Sequence, residues 1–458
     1  MTIFFMKNFF KIKHRNDIKK MIILGISFFM IIFSYTIVRE LKDAVFFLIV
    51  GRKYIPDVKM LSNFFMIPLA LFYGWLSTKI KRQNLLIFYC IIYGIGGLIA
   101  AYFLIHNSIG LINKISNPYR IFGWIFYLFI EGYSPFIVSV MWAFLNSISH
   151  PENVKNSYVV VTIFSKTGGV ISALLAWLFM SRKFTFGLNI SDEASYSFLM
   201  IISSIALLIV PIFIYFLLKI IPESSLNGYS DDIEKKENLK ENKSSGFFEI
   251  FKYPYVIGIF GMLFFWEIVN VVFNLMRLNI GFADSEGIAE FSAFLYKNIM
   301  YSHIVALLMA IFGTSSLVNM LGERISLMLI PVLIGGALFT CFIFKTSTLV
   351  IFTYAFMRAI NYAFAYPLRE ALYIPTSKNI QFKTKSWIDS FGSKFAKACG
   401  SFYNKAILCI PFASTNIFQN IFFGIIISSW VVLTYFLGKR WEKAIKNKEI
   451  IGINKEEK

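Results

Sequence analysis

The chain is a succession of long apolar runs separated by short polar breaks. A helix needs about 20 mainly apolar residues to cross a bilayer, and runs of that length occur at about twelve places. They cover 21–50, 58–77, 84–105, 121–146, 157–181, 197–221, 253–277, 297–319, 325–345, 347–368, 391–412 and 417–438. Pro68, Pro367 and Lys394 interrupt or flank the second, tenth and eleventh. The pattern predicts an all-α membrane protein. One polar break is far longer than the others. Residues 223–246 are charged and poor in apolar side chains, which predicts a flexible linker. The expected organisation is therefore a basic tail (1–20), a six-helix half (21–222), a linker (223–252), a second six-helix half (253–438) and a tail (439–458).

Two six-helix halves joined by a polar linker is a major-facilitator-like layout. A faint repeat agrees with it. Gly74-Trp-Leu-Ser-Thr-Lys-Ile-Lys-Arg82 follows the second run, and Asn319-Met-Leu-Gly-Glu-Arg324 follows the eighth. Alternate breaks plus both tails hold roughly 27 Lys and Arg against roughly 10 on the other side, so the positive-inside rule places both termini in the cytoplasm.

Composition narrows the class. Of 458 residues, 57% are hydrophobic and 16% charged, with a net charge of +19. A soluble fold could not bury that much apolar surface, and basic retained loops explain the charge without a nucleic-acid partner. The four cysteines and four histidines are scattered, so no metal site or cofactor is expected. No phosphate-binding GxxxxGK[ST] loop, GxSxG elbow or HExxH pair is present, and nothing points to an enzyme.

Charge inside the apolar runs is the informative departure, because a charge at membrane depth normally faces a partner or a water-filled path. The first run carries Arg39, Glu40, Lys42 and Asp43. Arg39 and Asp43 are spaced to pair along one helix face, and Lys42 lies off that face as a candidate substrate cation. The fourth run carries Glu131, with Gly132 and Pro135 loosening the backbone beside it. Lys166, next to Gly168-Gly169, offers a neutralising partner for Glu131, and the paired glycines predict close helix approach. In the seventh run Glu267 has no obvious role, and Arg277 reads as interfacial. The region 366–401 is richest. Arg358 precedes it, Arg369 and Glu370 open it, and Lys394 and Lys397 share one helix face between Gly392 and Gly400. Cations beside glycines suit a phosphate-bearing anion. Lys383 and Lys385 read as solvated loop residues.

At these residues the chain resembles the nucleotide transporters of obligate intracellular bacteria and plastids, the ATP/ADP translocases. That family's opening helix looks like FNYxxLRxxKD; here it reads Phe33-Ser-Tyr-Thr-Ile-Val-Arg-Glu-Leu-Lys-Asp43. Ile130-Glu131-Gly-Tyr133 is similar to its fourth-helix element. Arg369-Glu370-Ala-Leu-Tyr-Ile-Pro375 and Lys383-Thr-Lys-Ser-Trp-Ile-Asp389, with Gly392, Lys397 and Gly400, match its late motif. The resemblance implies a nucleotide substrate and places the transport-linked charges on Lys42, Glu131, Glu370 and Lys397. Arg39 and Lys394 join them as candidates from the helix pattern. The chain departs from the family where Phe273 stands for a seventh-helix glutamate, Met276 for a tryptophan and Arg369 for a lysine. Those departures predict a substrate preference or coupling mode different from strict ATP/ADP exchange.

The expected function is secondary transport of nucleotides by alternating access, in a multi-pass protein of the bacterial inner membrane acting as a monomer. A facilitator-type carrier of another organic anion or cofactor is the alternative. A membrane scaffold or receptor has no use for charges buried on several helices.

Overall fold

The computed structural model describes residues 15–148, 151–183, 191–222, 250–312, 322–344, 346–361, 365–377, 380, 384–409 and 412–452. The first fourteen residues, positions 223–249 of the expected linker, residues 313–321 and Lys383 lie outside them. Twelve helical passes are present among the described residues. They are α1 (Arg15–Ile49), α2 (Ile55–Lys79), α3 (Arg82–Leu104), α4 (Ile121–Glu131, a π-helical turn Ser134–Val138 and Ser139–Ser147), α5 (Pro151–Met180) and α6 (Asp192–Ile220). Then come α7 (Pro254–Ala283), α8 (Ile288–Phe312), α9 (Glu323–Phe344) and α10 (Ser347–Ile360 and Tyr366–Leu372). The last are α11 (Lys385–Trp387, a π-helical turn Ile388–Gly392 and Ser393–Ile407) and α12 (Phe412–Lys446). Eight of them are long and apolar enough to cross a bilayer by length and composition alone. Among the described residues the extended structure is one bridge, Thr376 to Ile451.

Two passes differ from the apolar runs. The run at 297–319 falls on α8, which starts earlier, at Ile288. Glu290 and Lys297 mask its first turns in the hydropathy pattern. Likewise α11 begins at Lys385, inside the stretch that reads as a loop, because its first turns are polar on one face only. Elsewhere local chemistry sets the ends. Ser191 caps α6 by accepting the Ala194 N–H at 3.2 Å, and Asp192 and Glu193 in the first turn suit the positive end of the helix. Thr346 caps α10 in the same way through Leu349.

The helices pack as two compact units. The first comprises residues 1–58, 64–240 and 281–311; the second 59–63, 241–280 and 312–458. In the first, α1 packs along α5 and α6, and α3 along α6. The approach of α5 is as close as the paired glycines predict. A Cβ on Gly168 would lie 2.5 Å from the Phe29 carbonyl oxygen of α1, and one on Gly169 would lie 2.5 Å from the His303 ring of α8. Tyr296 of α8 donates to the Ile37 carbonyl at 2.9 Å, and Tyr196 of α6 donates to the Ile288 carbonyl at 2.7 Å. Lys20, in the basic tail by sequence, is buried and donates to the Ile148 carbonyl just beyond α4. A cation at that end satisfies carbonyls that the helix leaves over. In the second unit α9 packs on α10 and α12. Many large side chains stay outward, among them Phe64, Trp75 and Phe402, as lipid-facing helices require.

Candidate functional site

In the first unit, α1 and α4 meet at one ion pair. Lys42 Nζ hydrogen-bonds Glu131 Oε2, lies 3.9 Å from Asp43 Oδ1 and sits over the Tyr127 ring, 4.3 Å from its centroid. Tyr127 and Glu131 are one helical turn apart on α4, so a single face of that helix presents both a ring and a carboxylate to the ammonium. The side chains of Lys42 and Glu131 are 12% and 33% exposed. The helices are held in register beside the pair, where Tyr133 donates to the Ile31 carbonyl at 3.0 Å and its ring stacks on Tyr35. Directly after Glu131, α4 widens into its π-helical turn at Ser134–Val138, which contains Pro135. Such turns recur at functional sites, because the freed backbone re-aims neighbouring side chains. On α1, Arg39 reaches Glu40 at 3.8 Å, and Glu40 is buried. Glu131 is held by Lys42, and the charges of α1 are shared between adjacent residues as well as across to α4.

In the second unit, α7 and α11 make a comparable contact. Lys397 Nζ lies 3.9 Å from Glu267 Oε1, which also accepts the Ser393 hydroxyl at 3.0 Å. Glu267 is 12% exposed and Lys397 41%. The two glycines of the late motif bring these helices together. A Cβ on Gly392 would meet the Phe260 ring at 2.8 Å, and one on Gly400 would meet Val271 Cβ at 3.1 Å. Asn404 adds a hydrogen bond to the Val271 carbonyl. A second pair joins α10 to α11. Lys385 hydrogen-bonds Glu370, and Arg369 lies 3.8 Å from Asp389. The end of α10 is fixed by Tyr255 donating to the Leu372 carbonyl and Trp441 to the Ala371 carbonyl. Here too a π-helical turn, Ile388–Gly392, lies among the charges, between Lys385 and Lys397. Lys394 is partly exposed on α11, one turn before Lys397.

Several expectations change. Lys385 is a partner of Glu370 and not a solvated loop lysine, since it lies on a helix. Glu267, without a role by sequence, is the carboxylate of Lys397. Its type and depth were visible, but its partner lies 130 positions on, beyond any spacing rule. Phe273 is fully buried, so the departure from the family's glutamate is packed as apolar core. Arg277 is buried within the protein, with its guanidinium over the Tyr354 ring.

Residues 2–441 match the model of a family described as TLC ATP/ADP transporter. The chain is 23% identical to ADP,ATP carrier protein 3 of Rickettsia typhi, over 94% of this chain and 96% of the relative. It is 21% identical to ADP,ATP carrier protein 1 of Rickettsia bellii, over 95% and 96%. Among solved structures it resembles a D-xylose-proton symporter, with a TM-score of 0.63 at 11% identity, over 91% of this chain and 96% of the other. It also resembles a bacterial homolog of the human lysosomal transporter Spinster, with a TM-score of 0.58 at 10% identity, over 95% and 98%. At such identities these structures establish the fold alone, an all-α, major-facilitator-like one.

Proposed function

Because the chain belongs to the TLC ATP/ADP transporter family, we propose that it moves nucleotides across a bilayer by alternating access, with Lys42 in one unit and Lys397 in the other as phosphate-binding cations. The observation that carries the assignment is the pairing of Lys42 with Glu131. A lysine at membrane depth is costly unless neutralised. A carboxylate neutralises it in the resting state and yields when a phosphate oxygen, bearing more charge, arrives. Glu131 then accepts a proton or another cation, which couples binding to rearrangement. Glu267 serves Lys397 in the same way, and Glu370 serves Lys385. Arg39 and Lys394, one turn from the two lysines, add positive potential.

The departures at Phe273, Met276 and Arg369 favour a nucleotide preference or coupling that differs from strict ATP/ADP exchange. Exchange of a tetra-anion for a tri-anion moves one charge per cycle, on which the potential acts at about 2.3 kcal/mol per 100 mV. Purified protein in liposomes, with labelled nucleotides outside, tests both points. Uptake is expected, and it should respond to an imposed pH gradient or prefer a nucleotide other than ATP. Absence of uptake for every nucleotide would overturn the function. Strict dependence on internal ADP, with ATP preferred and no response to the gradient, would overturn the altered coupling alone.

The reading includes two six-helix halves, a monomer, and an inner bacterial membrane with both termini cytoplasmic. Reporter fusions after residues 82, 152, 235 and 445 should then report cytoplasm, and fusions near 55, 114, 190 and 284 the opposite side. Inversion throughout would reverse the orientation.

A further inference from the structure

After α12 the chain turns back onto the second unit. Lys448 has a φ of 50°, in the left-handed region that glycine usually fills. Around it the Glu449 N–H donates to the Ala444 carbonyl at 2.9 Å and the Lys448 N–H to the Ile445 carbonyl at 3.1 Å. This pair of bonds is a Schellman close, which occupies the last carbonyls of the helix and reverses the chain. The turn brings Glu449 back beside Arg440 of α12. Both carboxylate oxygens accept from the guanidinium, one of them at 2.8 Å. A forked pair of this kind fixes direction as well as adding energy.

Past the turn, the chain lies along the connection between α10 and α11. The Ile451 N–H donates to the Pro375 carbonyl at 2.8 Å, and the Ile451 carbonyl accepts the Ser377 N–H at 2.9 Å. These bonds make the parallel bridge of Thr376 with Ile451, and both residues are buried. Gly452 follows with a φ of 99°, and a Cβ there would lie 2.4 Å from Ile380 Cδ1. The contact reaches the charged end of α10 without a slack segment. Tyr373 donates its N–H to the Glu370 carbonyl, Ile374 to Ala371 and Thr376 to Tyr373, at 3.2, 3.1 and 3.1 Å. Arg369 and Glu370 stand just before this run of turns, and their partners Asp389 and Lys385 follow it on α11.

We propose that residues 447–452 form a strap that sets the position of the α10–α11 connection, and through it the Glu370–Lys385 and Arg369–Asp389 pairs. Arg440, Glu449 and Ile451 are positioning residues, acting on those pairs through the backbone of 371–377. The effect of the strap on transport rests on the nucleotide reading above; its effect on the connection does not.

The test compares the full chain with a chain ended after Asn447, and uses a chain ended after Gly452 as control. Amide hydrogen exchange in detergent reads the segment 371–377. Uptake of labelled ATP and the other labelled nucleoside triphosphates into liposomes gives KM and Vmax. Ending the chain after Asn447 should speed exchange about tenfold to thirtyfold, the worth of two backbone hydrogen bonds. The KM should rise about threefold to tenfold, as displaced ion pairs of modest worth predict. Glu449→Gln should show the same changes at smaller size, and carries the test should the shortened chain fail to accumulate. Arg440→Glu combined with Glu449→Arg rebuilds the pair in reverse and should move both readouts back toward wild type. Wild-type exchange without the strap, or an equal change in the chain ended after Gly452, overturns the strap. Faster exchange with KM unchanged and Vmax lowered would make the strap a stabilising contact and overturn the positioning of the pairs. Faster exchange in a protein whose wild type takes up no nucleotide overturns the transport reading and leaves the strap on the connection standing.

Discussion

The two units hold their key lysines differently. Lys42 is nearly enclosed, in direct hydrogen-bond contact with Glu131, close to Asp43 and capped by the Tyr127 ring. Lys397 has one carboxylate at 3.9 Å, shares it with Ser393 and is 41% exposed. An enclosed pair is worth most when intact and costs most when broken; a half-exposed pair is worth little either way. On the proposed reading, the first arrangement stays closed until a phosphate displaces Glu131. The second is built to exchange partners readily. Family resemblance treats the two lysines alike, whereas their surroundings do not.

Removing the carboxylates is the most direct way to break this comparison. Glu131→Gln leaves a buried ammonium facing an amide and should cost about 3 kcal/mol of stability. Glu267→Gln should cost less than about 1 kcal/mol. Thermal unfolding of the two variants in the same detergent measures the difference, and equal shifts would erase the distinction. Removing the lysines then tests function. Lys42→Ala and Lys397→Ala should each reduce nucleotide uptake roughly 30- to 150-fold, from about 2–3 kcal/mol per lost charged hydrogen bond. Membrane-inserted protein should persist in both. Normal uptake by either variant would remove that lysine from the site. Lys→Arg at either position keeps the charge with altered geometry and should retain part of the activity.

How much of this was legible depended on the range of the signal. The succession of helices follows from hydropathy, which is local. Lys42 and Glu131 stood out because charge inside an apolar run is locally anomalous, and the family motif named them. Their partnership was not legible, since they lie on different helices 89 positions apart. Lys385 was missed for the opposite reason. A polar first turn of a helix resembles a loop when only composition is read.

The glycines sharpen the comparison at the level of packing. Gly168 faces the backbone of α1, where a Cβ would lie 2.5 Å from a carbonyl oxygen that cannot turn aside. Gly168→Ala should force α5 from α1 and cost about 2–3 kcal/mol. Gly400 faces the Val271 side chain at 3.1 Å, which can shift by a few tenths of an ångström. Gly400→Ala should cost about 1 kcal/mol or less. The yield of monodisperse protein and its unfolding midpoint read both. A Gly400→Ala variant more damaged than Gly168→Ala would show that the α7–α11 contact is the more tightly specified, reversing the ranking of the two units.

The smallest effect is expected at Lys385. Its side chain is 29% exposed and its hydrogen bond to Glu370 lies at the start of α11. Pairs of that exposure contribute about 0–1 kcal/mol, so Lys385→Ala should barely move the unfolding midpoint. Glu370 loses that cation but keeps partial access to solvent, which limits the penalty. If Lys385 serves only to hold Glu370, uptake should fall by less than about fivefold, the equivalent of about 1 kcal/mol. Glu370→Gln should then match it, since either change removes the same pair. A loss as deep as that of Lys397→Ala, with protein still in the membrane, would make Lys385 a substrate cation in its own right. The second unit would then present two such lysines against one in the first, and the asymmetry between the units would lie in the number of phosphate contacts rather than in how tightly each lysine is held.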